Sequence, residues 1–349
     1  AHYQPLWHGA RYDLKQRKIL KPGKPPLPKS AHREEGFYKD IFMDGGVNLS
    51  SRRNLPAAES LGLSYELYAG RNPDKQRELI IGNEQDENGV LLYPDGQPRF
   101  RLIYVNGGGA TAYGKSLESP GRKVFRQFFN NGGSYSGSCA GSFLSGRNTN
   151  KSAPRRLGYL HIFPYNTLTT GIKKTRVGHV IPHNSPLLKY SDFGGDYYVP
   201  EVYHNNGNWL SLDMLKKMKH VKVLASYDLP KNKVHEGAAI WAYKKDKEAG
   251  RIINIGSHPE GTTSGERLEL TEACFRYAID GVGTPTVKAR LKNGVPRHMN
   301  KRTSEGDPVH TRIGDLQYHH FDFEVSGEST DALIELKGEK GFNFHLYLN

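Results

Sequence analysis

The stretch Gly132–Ser142 reads GGSYSGSCAGS and holds one of only two cysteines in a chain of 349 residues. Four glycines and four serines surround Cys139, so few apolar side chains are at hand to bury its thiol. Tiny residues two positions before and after a nucleophile, here Gly137 and Gly141, are typical of a strained strand-to-helix elbow. We therefore expect a strand, a sharp turn that presents Cys139, and then a helix.

Apolar runs and amphipathic runs alternate on both sides of this elbow, as they do in a parallel sheet covered by helices. Strands are predicted at 38–43, 63–70, 101–105, 220–229, 237–245 and 251–261, and helices at 52–62, 121–133 and 265–281. Two turn signals predict a hairpin-like excursion within 86–100, and short strands and loops are expected over 157–209. The fold class is therefore α/β, with an open, mostly parallel sheet and helices on both faces.

Composition divides the chain into four parts. Residues 1–34 are rich in Pro and Lys and read as an extended arm, and 35–283 form the α/β domain. Residues 284–312 have the composition of a linker. Three short alternating runs in 313–349 predict antiparallel strands of a partial β-domain.

The net charge of +13 and the pI of about 9.5 suit an anionic partner, but the basic residues are scattered and match no nucleic-acid reader motif. We expect a basic solvated surface and no specific nucleic-acid partner. No run approaches the roughly 18 apolar residues of a membrane-spanning helix. His179 and His183 have the spacing of a helical zinc site, but Pro182 lies between them, so we expect no metal and no cofactor.

A thiolate that attacks an amide needs a proton shuttle, and one of the fifteen histidines has suitable neighbours. In IINIGSHPEG, His258 and Glu260 follow an apolar strand two residues apart. Residues i and i+2 of an extended chain point the same way, and Pro259 between them stiffens that arrangement. We expect His258 to act as the base and Glu260 to orient it.

Two segments are candidates for stabilising an oxyanion. The helix after Cys139 would direct its free N–H groups, beginning with that of Ala140, at the sulfur. A second donor is expected from Gly107–Gly109, since this loop ends a predicted strand and ligands of open α/β sheets bind beyond the carboxyl ends of strands. Cys274 lies among apolar residues of a predicted helix and is expected to be inert.

The motifs GSCAGS and GSHPEG, preceded by VNGGG, resemble the class I glutamine amidotransferase-like superfamily, whose members carry a GxCxG elbow and an HPE pair. NGGGATAYG, GGSYSGSCAGS, VYHNNG and GSHPEG are most similar to the biotin-protein-ligase N-terminal family. The resemblance covers 35–283 and implies a flavodoxin-like sheet, with Cys139 as nucleophile, His258 as base and Glu260 as orienting acid. It also implies that His204 lines the pocket; capping a turn is the alternative. The tail after Ile313 more weakly resembles the start of a bacterial pre-peptidase C-terminal β-domain.

Two departures from the glutaminases shape the functional prediction: the loop reads NGGG rather than a PGG-type turn, and no second domain that could consume ammonia is evident. We therefore favour a stand-alone cysteine hydrolase that cleaves an amide or peptide bond, with a γ-glutamyl compound as one candidate substrate. The alternatives are a glutaminase subunit that supplies ammonia to a separate synthase chain, and a non-catalytic binding module for an anionic polymer. Self-association of identical chains is left open.

The expected compartment rests on two features of the ends of the chain. A first residue other than Met and the resemblance of the tail favour an exported protein, secreted or periplasmic. A reactive thiol also fits a reducing compartment, so the cytoplasm is the alternative. Two cysteines are too few for a disulfide framework.

Overall fold

A computed structural model describes residues 11–13, 18–21, 37–44, 54–68, 80–81, 89–93, 96–283, 289–297, 321–328, 331–338 and 346. Its strands are β1 (Arg11–Asp13), β2 (Lys18–Lys21), β3 (Lys39–Asp44), β4 (Tyr65–Tyr68), β5 (Phe100–Val105), β6 (Ser134–Ser138), β7 (Leu168–Thr169), β8 (Thr175–Val180), β9 (Tyr198–His204), β10 (Asn208–Trp209), β11 (Val221–Asp228), β12 (Ala238–Lys244), β13 (Arg251–Ile255), β14 (Ala289–Arg290) and β15 (Phe321–Asp322). Its α-helices are α1 (Pro56–Ser60), α2 (Ala110–Ser116), α3 (Glu118–Asn130), α4 (Ala140–Ser145), α5 (Leu212–Leu215) and α6 (Glu266–Ile279).

Nine strands form one open sheet in the order β4-β3-β5-β6-β13-β12-β11-β8-β9. The first five run parallel to one another, and the last four continue the sheet with antiparallel pairings. Because β6 and β13 are parallel neighbours, Ser138 pairs with Ile255 and both strands end at the same edge. The predicted α/β class is thus confirmed, with the parallel half carrying the elbow.

Helices cover both faces of the parallel half of the sheet, because successive side chains along each strand point to opposite faces and both faces carry apolar residues. On β5, Leu102 and Tyr104 face a core that contains α6, where the Tyr104 and Phe275 rings lie 5.1 Å apart. The intervening residues Ile103 and Val105 face a second core built on α2, α3 and α4. Strands buried on two faces need apolar side chains at consecutive positions, as in FRLIYV.

The predicted elements of the α/β domain are present with shifted ends, and 157–209 contains short strands and turns as expected. In the excursion at 86–100, an antiparallel bridge joins Leu92 to Pro98. In the described part of the chain no helix is long and apolar enough to cross a membrane.

The two ends of the chain differ from the expectations. Within the predicted arm, β1 and β2 pair antiparallel, with the Cα of Tyr12 opposite that of Ile19. In the tail, β15 pairs with β14 in parallel rather than antiparallel fashion, and 323–328 and 331–338 contain no strand. Alternation indicates strand character but not the partner or its direction. The rest of 313–349, apart from 346, lies outside the described residues, as do most of 1–34 and of the predicted linker.

Candidate active site

Cys139 occupies the elbow between β6 and α4. Its φ of 46° and ψ of −102° lie in a region that side-chain-bearing residues rarely adopt. The N–H of Cys139 donates to the carbonyl of Ile255 at 2.8 Å, so the end of β13 holds the turn from the neighbouring strand. The side chain is largely buried, with 7% of its surface exposed.

Gly137 and Gly141 are required by close backbone packing at this elbow. A Cβ on Gly137 would lie 2.4 Å from the carbonyl carbon of Gly141, and one on Gly141 would lie 2.1 Å from the carbonyl oxygen of Val105. Backbone atoms cannot move aside as a flexible side chain can. The small residues flanking Cys139 therefore let α4 pack directly on β5 and β6, which is the close approach that the sequence predicts.

His258 and Glu260 reach the same edge of the sheet from the end of β13. The His258 Nδ1 atom lies 3.0 Å from Glu260 Oε1, and only 14% and 11% of the two side chains are exposed. The N–H of His258 donates to the carbonyl of Tyr203 at 2.8 Å, which anchors its backbone to β9. Because Nδ1 is bound by Glu260, Nε2 is the ring nitrogen that remains available to the thiol.

The electrostatics of the site favour a charged imidazole. Burial by itself lowers the pKa of His258, but its hydrogen bonds to Cys139 and Glu260, together with the charges of these groups, outweigh burial and raise the pKa to about 10. The imidazole thus lies close enough to the thiol to be affected by it, and the ring keeps its proton at neutral pH.

The second oxygen of Glu260, Oε2, is buried. Oε2 has no hydrogen-bond partner among the described residues. The Tyr104 hydroxyl lies 3.1 Å from Ser138 Oγ, and burial and then the nearby charge of Glu260 raise the pKa of Tyr104 well above its usual value. Tyr104 therefore stays protonated, which avoids a second negative charge beside the carboxylate.

The loop Gly107–Gly109 packs against the imidazole. A Cβ on Gly107 would lie 2.2 Å from His258 Cε1 and 2.9 Å from Nδ1, so the missing side chain makes room for the ring. Gly108 is exposed with a φ of 139°, and half-buried Gly109 precedes α2. The loop thus lies at the site, and the absence of a side chain at Gly107 leaves space for the imidazole of His258.

The first amides of α4 have different roles. The N–H of Gly141 donates to the carbonyl of Asn106 at 3.0 Å and is already used within the fold. This leaves the N–H of Ala140 as the helix amide next to the thiol. Ala140 itself is buried, with 1% of its surface exposed.

His204 lies behind the site and has no exposed surface. Its Nε2 atom is 2.8 Å from Thr170 Oγ1, and its Nδ1 atom is 3.0 Å from Ser257 Oγ. Burial and then the charge of His258 lower the pKa of His204 to about 4. His204 is connected to the residues of the site indirectly, through its chain neighbours Tyr203 and Asn205 and through Ser257.

Cysteine and histidine side chains elsewhere differ from those of the site. Cys274 is fully buried in α6, and burial raises the pKa of its thiol far above the ordinary value. His179 is buried on β8, and the ring of His183 packs at 4.7 Å from that of Tyr197. Within the described ranges, no group of three or more His, Cys, Asp or Glu residues is arranged to hold a metal ion.

Several contacts at the site involve residues that the sequence alone did not single out. The Cys139 Sγ atom lies 3.7 Å from the carbonyl oxygen of Asn205. Ser257 carries a weak signal, because it adjoins His258 at a strand end and neighbouring residues there face opposite sides. Thr170 carries none, since a threonine in a loop is ordinary.

Comparisons with known proteins give similar structures only. No family model matches the chain, and no curated protein matches it. One similar solved structure is a ThuA-like protein from Bacteroides uniformis, with 15% identity over 75% of this chain and 99% of that one and a TM-score of 0.44. Another is the glutaminase domain of Trypanosoma brucei CTPS with bound acivicin, with 11% identity over 70% and 95% and a TM-score of 0.40. A third is a glutamine amidotransferase, with 14% identity over 64% and 90% and a TM-score of 0.39.

Proposed function

We propose that this chain is a cysteine-nucleophile hydrolase that cleaves an amide or peptide bond through a thioester acyl-enzyme. Cys139 is the nucleophile, His258 transfers the proton, and Glu260 orients the imidazole and stabilises its charge. The observation that carries the proposal is that His258, whose Nδ1 lies 3.0 Å from Glu260 Oε1, is brought close to the Cys139 thiol at a strained elbow, although the two come from separate parts of the chain.

The chemistry follows from the relay. The sulfur attacks the amide carbon and forms the C–S bond, while the carbonyl oxygen gains charge beside the N–H of Ala140. The protonated Nε2 of His258 gives its proton to the leaving nitrogen as the C–N bond breaks. Water then attacks the thioester and passes a proton back to His258, and cleavage of the C–S bond regenerates the thiolate.

Glu260 keeps the relay in its working form. With one carboxylate oxygen on Nδ1, the ring presents Nε2 to the sulfur, and the negative charge favours the imidazolium. The glycine at 107 allows the ring to reach this position. Both effects act on orientation and charge rather than on substrate binding.

Limiting iodoacetamide at neutral pH, with the adducts mapped by mass spectrometry, tests the nucleophile directly. Cys139 is expected to react far faster than buried Cys274, which serves as the internal control. His258→Ala should slow labelling of Cys139, whereas His183→Ala, which removes a histidine outside the relay, should not. Equal labelling of the two cysteines, or labelling unaffected by His258→Ala, contradicts the proposal.

The reaction class needs a second experiment. L-glutamine, a chromogenic γ-glutamyl anilide and a panel of peptide anilides would be incubated with the wild-type chain and with Cys139→Ala. Release of the amine that depends on Cys139 supports hydrolysis, and trapping the thioester with hydroxylamine identifies the acyl-enzyme. Activity that survives in Cys139→Ala counts against the role assigned to the thiol.

A further inference from the structure

The segment Tyr203–Gly207, which reads YHNNG, contacts both reacting partners of the proposed relay. The carbonyl of Tyr203 accepts from the N–H of His258 at 2.8 Å, and the carbonyl of Asn205 faces the Cys139 sulfur at 3.7 Å. Gly207 packs on the residue before Ser257, since a Cβ on it would lie 1.5 Å from the carbonyl oxygen of Gly256. The nucleophile and the base therefore both contact the backbone of one short segment.

His204 is the only side chain of this segment that is both buried and hydrogen-bonded at two ring atoms. It joins Thr170, in the loop that follows β7, to Ser257, the residue before His258. Thr170 also binds the segment through its backbone, because its N–H donates to the carbonyl of Gly207 at 2.9 Å. His204 thus ties the segment to the base-bearing strand end and to a third piece of chain.

His204 is hydrogen-bonded at both ring nitrogens, to Ser257 Oγ through Nδ1 and to Thr170 Oγ1 through Nε2. Both partners are hydroxyls, which can donate or accept, so a neutral imidazole makes both bonds by donating at one nitrogen and accepting at the other. Thr170 Oγ1 also accepts from the N–H of Ile172 at 3.4 Å, which ties this hydroxyl to its own loop.

A neutral ring also suits its neighbourhood. His258 carries the positive charge of the site, and a second imidazolium beside it would be repelled and would oppose that charge. Burial has the larger effect and acts in the same sense, because no carboxylate in the described part of the chain contacts His204 to offset the loss of water. The network therefore separates the two histidines into a charged one that reacts and an uncharged one that holds position.

We propose that His204 is the positioning residue of this site: as a neutral imidazole hydrogen-bonded at both ring nitrogens it holds Ser257 and the Tyr203–Gly207 segment, and so sets the distance between the Cys139 sulfur and the His258 ring. The inference rests on the proposed function, because it assigns His204 a part in that relay. His204 does not touch the substrate.

Three variants separate positioning from packing. His204→Phe keeps a ring beside Tyr227, whose centroid lies 5.4 Å away, but removes both hydrogen bonds. His204→Asn restores a donor near Nδ1, and Thr170→Val cuts the network at its far end. The rate constant for alkylation of Cys139 and its pH profile are the readouts, with thermal unfolding measured alongside.

His204→Phe is expected to lower the alkylation rate constant about tenfold and to move its pH profile, since an error well under 1 Å already disturbs a relay of this kind. His204→Asn should recover part of that loss and Thr170→Val should reproduce a smaller one. If a folded His204→Phe protein has an alkylation rate constant within twofold of the wild type and an unshifted pH profile, the inference is overturned.

One measurement needs no variant of the network. ¹⁵N shifts of histidine-labelled native protein should show His204 as a neutral imidazole in one fixed tautomer across pH 6 to 8, whereas a charged ring or a mixture of tautomers overturns the inference even if every variant fails to fold. The two proposals fail separately. If the alkylation rate of Cys139 depends on His258 but not on His204, only this inference is contradicted. If Cys139 is alkylated no faster than Cys274, both the proposed function and this inference are contradicted.

Discussion

Replacing Gly107 with alanine should move the base without disturbing the fold. The new Cβ would lie 2.2 Å from His258 Cε1, where ordinary van der Waals contact begins at 3.4 Å. The imidazole must therefore retreat by about 1 Å or tilt away from the sulfur. The new methyl would also lie 2.9 Å from Nδ1 and 3.3 Å from Nε2 of the same ring.

The size of the effect follows from the displacement. A misplacement of about 1 Å in a catalytic group costs about 10²-fold in rate, which corresponds to about 3 kcal/mol of transition-state stabilisation. The clash is with a side chain rather than with backbone, so the free energy of unfolding should change little. The two quantities should thus separate in Gly107→Ala, with a large loss of reactivity and a small change of stability.

Alkylation of Cys139 by limiting iodoacetamide measures the reactivity, and urea unfolding measures the stability. Gly146→Ala is the matched control, because Gly146 lies just beyond α4, has a φ of −80°, and offers at least 3.4 Å to a new Cβ. We expect a loss of tenfold or more in Gly107→Ala and less than twofold in Gly146→Ala. If both variants react like wild type, the ring of His258 is not held where the relay requires it, and the reasoning is refuted.

Three further predictions concern charge and packing. Glu260→Gln should lower the pKa of His258 from about 10, as measured by NMR titration. Because that pKa is raised above the ordinary 6.5, the ion pair stabilises the fold fully below pH 6.5, and this stabilisation is lost as the pH rises through about 10. The free energy of unfolding of the variant should therefore depend less on pH than that of the wild type. An unchanged pKa would contradict the assigned contact. Gly141→Ala, whose Cβ would meet the Val105 carbonyl oxygen at 2.1 Å, should destabilise the fold by about 1–3 kcal/mol in urea unfolding, and wild-type stability would show that α4 is not packed on β5. Cys274→Ala should lose stability at the core yet keep the reactivity of Cys139, whereas Cys139→Ala should keep stability and lose amide cleavage; the reverse pattern would exchange the roles of the two thiols.

Local sequence chemistry was enough for the elements that carry the site. The glycines around Cys139, the apolar run before His258 and the Pro between His258 and Glu260 each act over two or three residues, so their effect is visible in the chain itself. These patterns predicted the strand, the elbow and the acid–histidine contact. The ends of the chain were predicted less well, since alternation in 321–322 does not specify whether a partner runs parallel or antiparallel.

The sequence by itself determined that a thiol is presented at a bend and that a histidine is paired with a carboxylate, because both are consequences of backbone geometry within a few residues. Only the tertiary structure decided that the two meet. The parallel pairing of β6 with β13 brings Cys139 and His258 to one edge of the sheet, and the end of β9 with the residue after it adds His204 and the Asn205 carbonyl. Strand order depends on packing between distant segments, where many contacts of similar energy compete, and no local pattern specifies which of them form together.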